Sequence, residues 1–142
     1  GHGSYYGAMA AHAGMWRAAE DTADDLLARL AVVPMVLEAR GLDVTPGMIK
    51  LFQQYNDHAA IDALNIIYSE EVAHVAFGSK WFHFLCGRLN IDPKPKFHFL
   101  VRKYFHGTLK PPFNEEKRAE AGIAPDFYWP LTDEMPQPPA MR

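Results

Sequence analysis

The 142-residue sequence has few of the features that mark several common classes of protein. It contains one cysteine, Cys86, so no internal disulfide can form, and a structural zinc site would normally recruit more than one cysteine. No apolar run approaches the roughly 20 residues of a membrane-spanning helix. The first residues lack the basic start and apolar core of a signal peptide. We therefore expect a cytoplasmic protein.

Charge and short motifs exclude further functions. The formal net charge of −3 gives no reason to expect nucleic acid or an anionic membrane as partner. The sequence has no glycine-rich phosphate loop and no His-Glu-x-x-His motif of the zinc proteases. Its 49% apolar and 22% charged residues are typical of a globular chain, and the length predicts a single domain over residues 1–142.

Hydrophobic periodicity predicts an all-α fold built on two long helices. In residues 9–40, apolar or small side chains recur at alternating spacings of three and four, which suits the packing of helix on helix. Pro34 should kink this helix, and Gly41 should act as its C-cap. The second helix is predicted over residues 57–89 and would be about 50 Å long.

Shorter elements are expected around the two long helices. The connector after the first should contain a short helix over residues 46–55, with Thr45 as its N-cap and Pro46 at its first position. The other predicted segments are a helix or turn over residues 96–105, a helix over 115–121 capped by Asn114, and an extended or disordered, proline-rich tail over 125–142.

Two glutamates and a histidine interrupt the apolar pattern of the second helix, at Glu70, Glu71 and His74. At about 100° per residue, Glu71 and His74 fall in the apolar arc that also contains Val75 and Phe82. Glu70 falls at the edge of that arc. A buried carboxylate without a partner is costly, so some group must compensate Glu71.

Glu38 raises the same question on the first helix, because it shares a face with Ala31 and Pro34. Residues i and i+3 are adjacent on a helix surface, so Glu71 and His74 can bind one metal ion together. A Glu from one helix with a Glu-x-x-His from another is half of the carboxylate-bridged di-iron or di-manganese site of ferritin-like bundles.

Interpretations without a metal stay open. Glu71 and His74 could instead form a buried pair satisfied by Arg40 or a backbone group, and Glu38 could pair with Arg40 or Arg29 near a helix end. The remaining candidates also have structural interpretations: a rim position for Glu70, a helix start for His12, a core or ligand-adjacent position for Tyr68, packing for Trp16, Trp81 and Trp129, and an inert buried thiol for Cys86.

Three segments together resemble a bacterial family of ferritin-like proteins of unknown function: TADDLLARLAVVPMVLEARGLDVTP, YSEEVAHVAFGSKWF and LKPPFNEEKRAEAG. The resemblance covers nearly the whole chain, and the Glu-Ala-Arg-Gly-Leu-Asp stretch is its most specific part. It implies a ferritin-like helical bundle, here the second helix pair, with Glu38, Glu71 and His74 as ligands of iron (as a di-iron site) or manganese. The wider fold includes iron-oxidising ferritins, rubrerythrins and oxygen-activating hydroxylases. The resemblance therefore implies oxidoreductase or hydroxylase chemistry, with no substrate specified.

The sequence departs from that family in one respect. Family members carry an earlier helix pair with its own Glu and its own Glu-x-x-His, but no Glu-x-x-His precedes Glu71 here. Two carboxylates and one imidazole do not complete two coordination spheres. Either the other half lies on a missing N-terminal stretch or a second chain, or a two-fold homodimer supplies four carboxylates and two histidines. The alternative function is a metal-free helical scaffold or interaction module that retains the fold.

Overall fold

The structure, a computed structural model, describes residues 14–133. Within that range the chain is predominantly helical and contains no strand, which confirms the all-α prediction. A single isolated bridge in this range joins Leu109 and Thr132. The elements in chain order are α1 (described at 14–21), α2 (Leu26–Val32), a π-helix (Val33–Glu38), α3 (Ala39–Gln54), α4 (His58–Arg88), α5 (Pro93–Tyr104), α6 (Glu115–Glu120), α7 (Pro125–Tyr128) and a 3₁₀ turn (Trp129–Leu131).

The prediction of one uninterrupted helix over residues 9–40 is wrong within the described range. Residues 22–25 leave the helix between α1 and α2. The Thr22 hydroxyl donates to the Ala18 carbonyl at 2.6 Å, and the Asp25 side chain accepts from the Ala28 N–H at 3.0 Å. Asp25 is therefore the N-cap of α2, because capping favours a short acidic side chain at a helix start.

The predicted C-cap at Gly41 is also wrong, because the helix continues through α3 to Gln54. Thr45 does not begin a new helix at 46–55. Its side chain lies inside α3, where the hydroxyl donates to the Gly41 carbonyl at 2.7 Å. The predicted first helix and the predicted short helix are thus parts of one continuous helical rod from Leu26 to Gln54.

Pro46 lies inside α3, where a proline is normally unfavourable. It has no N–H, so the Leu42 carbonyl one turn earlier lacks its usual helical donor. The Asn114 side-chain amide donates to that carbonyl at 3.0 Å. A side chain distant in sequence therefore satisfies the acceptor that the proline leaves free, which explains why the helix passes through this position.

The helix stays continuous at Pro34, and its turns there widen into the π-helix Val33–Glu38. Pro34 is buried against Gly78 of α4, where an added Cβ would collide with the proline ring. Single π-helical turns occur within α-helices and are frequent at functional sites. This close crossing brings the end of the π-helix against the middle of α4.

The helix predicted over residues 57–89 is α4, His58–Arg88, in the structure. Asp57 caps it by accepting from the Ala60 N–H at 3.1 Å. Helices α3 and α4 pack against each other as an antiparallel pair, joined by the short turn at residues 55–57. Helix α4 carries Glu71 and His74, and Glu38 ends the π-helix that leads into α3.

The C-terminal elements cover one side of the helix pair. Helix α6 is capped by Asn114, as predicted, since its side chain accepts from the Lys117 N–H at 3.1 Å. The prediction of an extended or disordered tail is wrong for residues 125–131, which are helical and bury Phe127 and Tyr128. Residues 134–142 and His12 lie outside the described range.

Aromatic rings dominate the contact between α4 and these later elements. Phe82 meets Phe97 of α5 edge-to-face at 6.0 Å between ring centroids, and Phe97 lies 5.4 Å from Phe127. Cys86 is fully buried nearby, as expected for an inert thiol, and burial raises its pKa. These contacts join α4, α5 and α7 into one hydrophobic core.

Helices α3 and α4 also expose large apolar side chains. We call these residues the apolar face, and its members are Val44, Met48 and Leu51 on α3 with Ile66, Ile67, Phe77, Trp81 and Phe84 on α4. Trp16 is exposed, so the interpretation of Trp16 as a packing residue is wrong within the described range. Trp81 does pack, against Phe84 on the surface, and Trp129 packs against the core. Exposed apolar side chains in such number are typical of an interaction site. None of the helices within residues 14–133 combines the length and hydropathy required to cross a membrane.

Candidate metal centre

The three predicted ligands come together where the π-helix crosses α4. Glu38 is the last residue of the π-helix, and Glu71 and His74 lie one turn apart on α4. One possible ligand atom from each residue lies within 4.8 Å of the other two. The His74 Nδ1 atom is 3.7 Å from Glu71 Oε2 and 3.9 Å from Glu38 Oε1. Donors from two helices thus converge on one volume.

Gly41 makes room for this arrangement. A Cβ at Gly41 would lie 3.2 Å from Glu71 Oε1 and 3.3 Å from Glu71 Cγ, tighter than ordinary van der Waals contact. The absence of a side chain at Gly41 therefore lets the Glu71 carboxyl lie between α3 and α4, close to Glu38. The glycine that we interpreted as a helix terminator supports the candidate site. The position of Gly41, one turn after Glu38, was the sequence feature that could have indicated this role.

The depth of the site differs from the prediction. The side chain of His74 is 61% exposed, whereas those of Glu38 and Glu71 are 22% and 21% exposed. The expectation that His74 points into the core is thus wrong for the described residues. Its arc of α4 faces the side that the other described elements leave open, so the cluster is half-buried at one edge and open at the other.

The two carboxyl groups are only partly compensated, by His74. Burial raises the pKa of Glu38, and the nearby His74 opposes that shift. Burial also raises the pKa of Glu71, the charge of Glu38 adds to the rise, and His74 again opposes it. Two half-buried carboxylates in proximity disfavour their own ionisation, and a divalent cation between them would relieve that repulsion.

The alternative in which arginines compensate Glu38 and Glu71 is not found among residues 14–133. Arg29 donates to the Ala19 carbonyl at 2.7 Å, at the break between α1 and α2. Arg40 donates to the Lys110 carbonyl at 2.7 Å. Within this part of the chain, His74 is the residue that forms ion-pair contacts with the two glutamates.

Tyr68 and Glu70 lie beside the cluster without joining it. The Tyr68 hydroxyl accepts from the Asn114 side-chain amide at 2.6 Å, so this ring is tied to the start of α6. Glu70 is exposed on α4, in agreement with its place at the edge of the apolar arc. Tyr68 therefore has a structural role that accounts for its hydrogen bond.

A second buried acidic group was missed at the sequence level. The Asp43 side chain, 1% exposed, accepts two bonds from Arg118, at 2.9 Å from Nε and 2.6 Å from Nη2. It also accepts from the Asn114 backbone N–H at 2.8 Å. The partners lie 75 residues apart in the chain, so no local pattern indicates the pairing.

The donor set is of a kind that can hold a metal ion. Carboxylate oxygens and an imidazole nitrogen are common metal ligands, whereas the cysteines of a structural zinc site are lacking. Three residues leave coordination positions unfilled, and the exposed edge at His74 provides access for further donors. Glu38, Glu71 and His74 would hold the metal, with additional ligands arriving from the open side.

Comparisons with known proteins identify relatives without a described function. The model of a family described as "Protein of unknown function (DUF455)" matches residues 1–129. A curated relative, an "Uncharacterized protein" of Haemophilus influenzae, is 42% identical over 121 residues, covering 85% of this chain and 42% of the relative. The chain thus spans less than half the length of that relative. No solved structure matches the chain.

Proposed function

Since the chain belongs to the DUF455 family of proteins of unknown function, we propose a function from its site: metal binding through Glu38, Glu71 and His74. The site is half of a di-iron or di-manganese centre of the oxidoreductase type, in a ferritin-like bundle. The convergence of three donor atoms from two helices within 4.8 Å carries this proposal. Carboxylates from two helices and a histidine one turn after one of them match the half-site of such bundles.

Each residue has a distinct task in the proposed centre. Glu38 and Glu71 supply negative charge from opposite sides of the crossing, and their partial burial limits competition from water. His74 supplies a neutral nitrogen donor from the exposed edge. A bound iron or manganese ion would supply electron transfer toward dioxygen or peroxide. The physiological substrate is not part of this proposal.

A second helix pair completes the centre in this proposal. Three observations support it: the open edge at His74, the unfilled coordination positions, and the apolar face that runs along the same helices. Phe77 of that face lies one turn after His74, so a helix pair packed there would also reach the cluster. The pair comes either from a second copy of this chain or from another stretch of polypeptide, and the H. influenzae relative is long enough to contain one.

The alternative function is a metal-free helical interaction module. The apolar face favours it independently of the metal, because large exposed side chains such as Phe77 and Trp81 suit a protein partner whether or not an ion binds. In this alternative the two glutamates mark a former site. Metal content separates the two functions.

Metal analysis of protein purified without chelator, and again after incubation with Mn²⁺ or Fe²⁺, tests the proposal. We expect bound metal in the wild-type chain, loss of that metal in Glu71→Ala, and retention in the matched control Glu70→Ala, whose exposed side chain lies one residue earlier. Circular dichroism should show the same helicity in all three proteins. A wild-type chain that takes up neither ion, with folding unchanged in Glu71→Ala, contradicts metal binding and favours the interaction module.

Solution mass identifies the source of the second helix pair. A homodimer with about one ion per chain matches a site shared between two copies. A folded monomer that still binds metal contradicts the homodimer, because one copy of the chain then holds the ion without a second copy.

A further inference from the structure

The segment that forms α5 and the loop after it differs in charge from the chain as a whole. Residues 93–113 contain five lysines or arginines and no aspartate or glutamate, whereas the whole chain has a formal net charge of −3. Exposed charges act mainly within about 8 Å of each other at physiological ionic strength. A ligand at α5 therefore meets a positively charged surface, and the expectation drawn from the net charge does not apply to this segment.

The exposed side of α5 combines three of these basic side chains with one aromatic ring. Phe99 is 55% exposed. Lys96, Arg102 and Lys103 lie three or four residues from it and therefore share its side of the helix. The Lys96 Nζ atom is 5.4 Å from the ring centroid of Phe99, and the Lys103 Nζ atom is 5.8 Å from it. We call these four residues the α5 basic face.

The cations of the α5 basic face lack an anionic partner in the part of the chain that the structure describes. None of its three basic side chains forms a salt bridge with a residue in the range 14–133. Lys94, which precedes the face, does pair with Asp126 at 2.7 Å. The nearby Asp92 is the N-cap of α5 and accepts from the Lys94 N–H at 3.3 Å. The positive charge of the face is thus in excess.

The apolar side of α5 is used by the fold. Phe97, Leu100 and Val101 are buried in the hydrophobic core, so Phe99 is the large apolar side chain that the helix leaves exposed. A helix that lies on a membrane needs a free apolar face, and a single ring does not supply one. The α5 basic face suits a ligand that carries several negative charges and also presents a flat ring.

We propose that the α5 basic face binds single-stranded nucleic acid. An unpaired base stacks on Phe99, and phosphates on either side of that base contact Lys96 and Lys103, which lie about 10 Å apart along the helix. Arg102 contacts a further phosphate. The lysine stems are flexible, so the two ammonium groups can leave the ring for the phosphates when a base arrives. The bases of a duplex stack on one another, so only a single strand offers Phe99 a free base.

Fluorescence anisotropy of the 142-residue chain with labelled oligouridylate and oligothymidylate of about 12 nucleotides tests the proposal. Chelator is present throughout, because the binding is independent of the proposed metal centre. We expect saturable binding of both strands, since stacking and phosphate contacts are available to RNA and DNA alike. Three phosphate contacts predict a slope of about −2 for the logarithm of the association constant against the logarithm of salt concentration.

Replacement of the ring separates base stacking from attraction of charge. Phe99→Ala should weaken oligouridylate binding about tenfold and leave the salt slope unchanged, because a stacking surface is lost and no charge is removed. Phe84→Ala is the matched control, since Phe84 is 50% exposed but lies on α4, and its affinity should equal that of the wild-type chain. Binding of a duplex of the same length should not respond to Phe99→Ala.

Replacement of one cation tests the phosphate contacts. Arg102→Gln should weaken binding of oligouridylate and reduce the magnitude of the salt slope by about 0.7, the amount expected for one phosphate contact of a single strand. Lys50→Gln removes an exposed lysine from α3, outside the α5 basic face, and should leave the slope unchanged. Circular dichroism should show equal helicity in all the variants, because the replaced side chains are exposed.

Four results would overturn the proposal. The first is the absence of saturable binding to either strand, and the second is binding to vesicles of phosphatidylcholine and phosphatidylserine in place of the strands, which would indicate a membrane surface. The third is polyglutamate that binds as tightly as oligouridylate, together with equal affinities of Phe99→Ala and Phe84→Ala, which would indicate attraction of any polyanion. The fourth is an equal change of slope in Arg102→Gln and Lys50→Gln, which would indicate an effect of net charge.

Discussion

The helix that runs through the π-helix and α3 carries two acidic clusters with opposite character. The Asp43 side chain is 1% exposed and accepts bonds from Arg118 and from the Asn114 backbone N–H. Glu38 is 22% exposed, yet its neighbours are another carboxylate, Glu71, and the exposed His74. The more deeply buried carboxylate is the better compensated one. Partners, and not depth, therefore distinguish a structural acid from a candidate ligand.

Replacement of Asp43 should have the largest effect on stability. Asp43→Asn removes the charge that compensates the buried Arg118 guanidinium, and breaking a buried ion pair costs about 3–5 kcal/mol. Urea denaturation followed by circular dichroism measures this loss. Asp126→Asn is the control, because it removes an acidic partner of Lys94 in an exposed pair and should change stability much less. Equal losses in the two variants would contradict the structural role of Asp43.

Metal should stabilise the chain through the other cluster. A ligand at one hundred times its dissociation constant raises the free energy of unfolding by about 2.7 kcal/mol when it binds only the folded state. We expect this gain with Mn²⁺ in the wild-type chain and in Glu70→Gln, but not in Glu71→Gln. The shift of the urea midpoint on addition of Mn²⁺ measures it. A gain of equal size in Glu71→Gln would place the ion elsewhere.

Gly41→Ala should separate stability from metal affinity. Alanine in a helix interior is more favourable than glycine by roughly 0.5–1 kcal/mol, but the close contact of the new Cβ with Glu71 should offset part of that gain in the metal-free protein. The new Cβ would press on the Glu71 carboxyl, so the affinity for Mn²⁺ should fall. Gly47→Ala is the matched control on α3, where an added Cβ meets no atom within 4 Å. It should show the full gain in stability with unchanged Mn²⁺ affinity.

The smallest expected effect is a pH dependence of the metal-free protein. Burial raises the pKa of Glu38 in the folded state, so its ionisation opposes folding as pH rises above the ordinary value of 4.5. In the presence of chelator, Glu38→Gln should therefore stabilise the protein near neutral pH. The gain should disappear as pH falls below 4.5, where the carboxyl is protonated in both states. Urea titrations from pH 4 to pH 7 measure the difference, and a difference that grows on acidification would contradict the assignment.

Local signals allowed much of the helical framework to be predicted. The apolar spacing of α4 and the caps at Asp57 and Asn114 depend on residues within a few positions of each other. Gly41 and Pro46 were misinterpreted for the opposite reason. Contacts from distant parts of the chain allow both inside a helix: Glu71 occupies the space beside Gly41, and Asn114 bonds to the carbonyl that Pro46 leaves free.

The candidate ligands also combine features that local sequence predicts with features that depend on distant contacts. The spacing of Glu71 and His74 places them on adjacent turns of one face, and helical geometry alone predicts that. The exposure of His74 could not be predicted from the same pattern. An arc of apolar residues indicates which side of a helix is favourable to bury, but not whether another element packs against it. Whether a neighbour covers it depends on the other elements of the fold.

The sequence by itself determined the predominantly helical character of residues 14–133, the limits of α4, and the identity of the three residues proposed as metal ligands, because helix formation and side-chain spacing are local properties. The tertiary structure decided which carboxylates have partners. The crossing at Pro34 and Gly78 brings Glu38 to Glu71 and His74, and the docking of α6 brings Arg118 to Asp43. Both pairings join residues far apart in sequence, so they depend on how the helices pack and not on any local pattern.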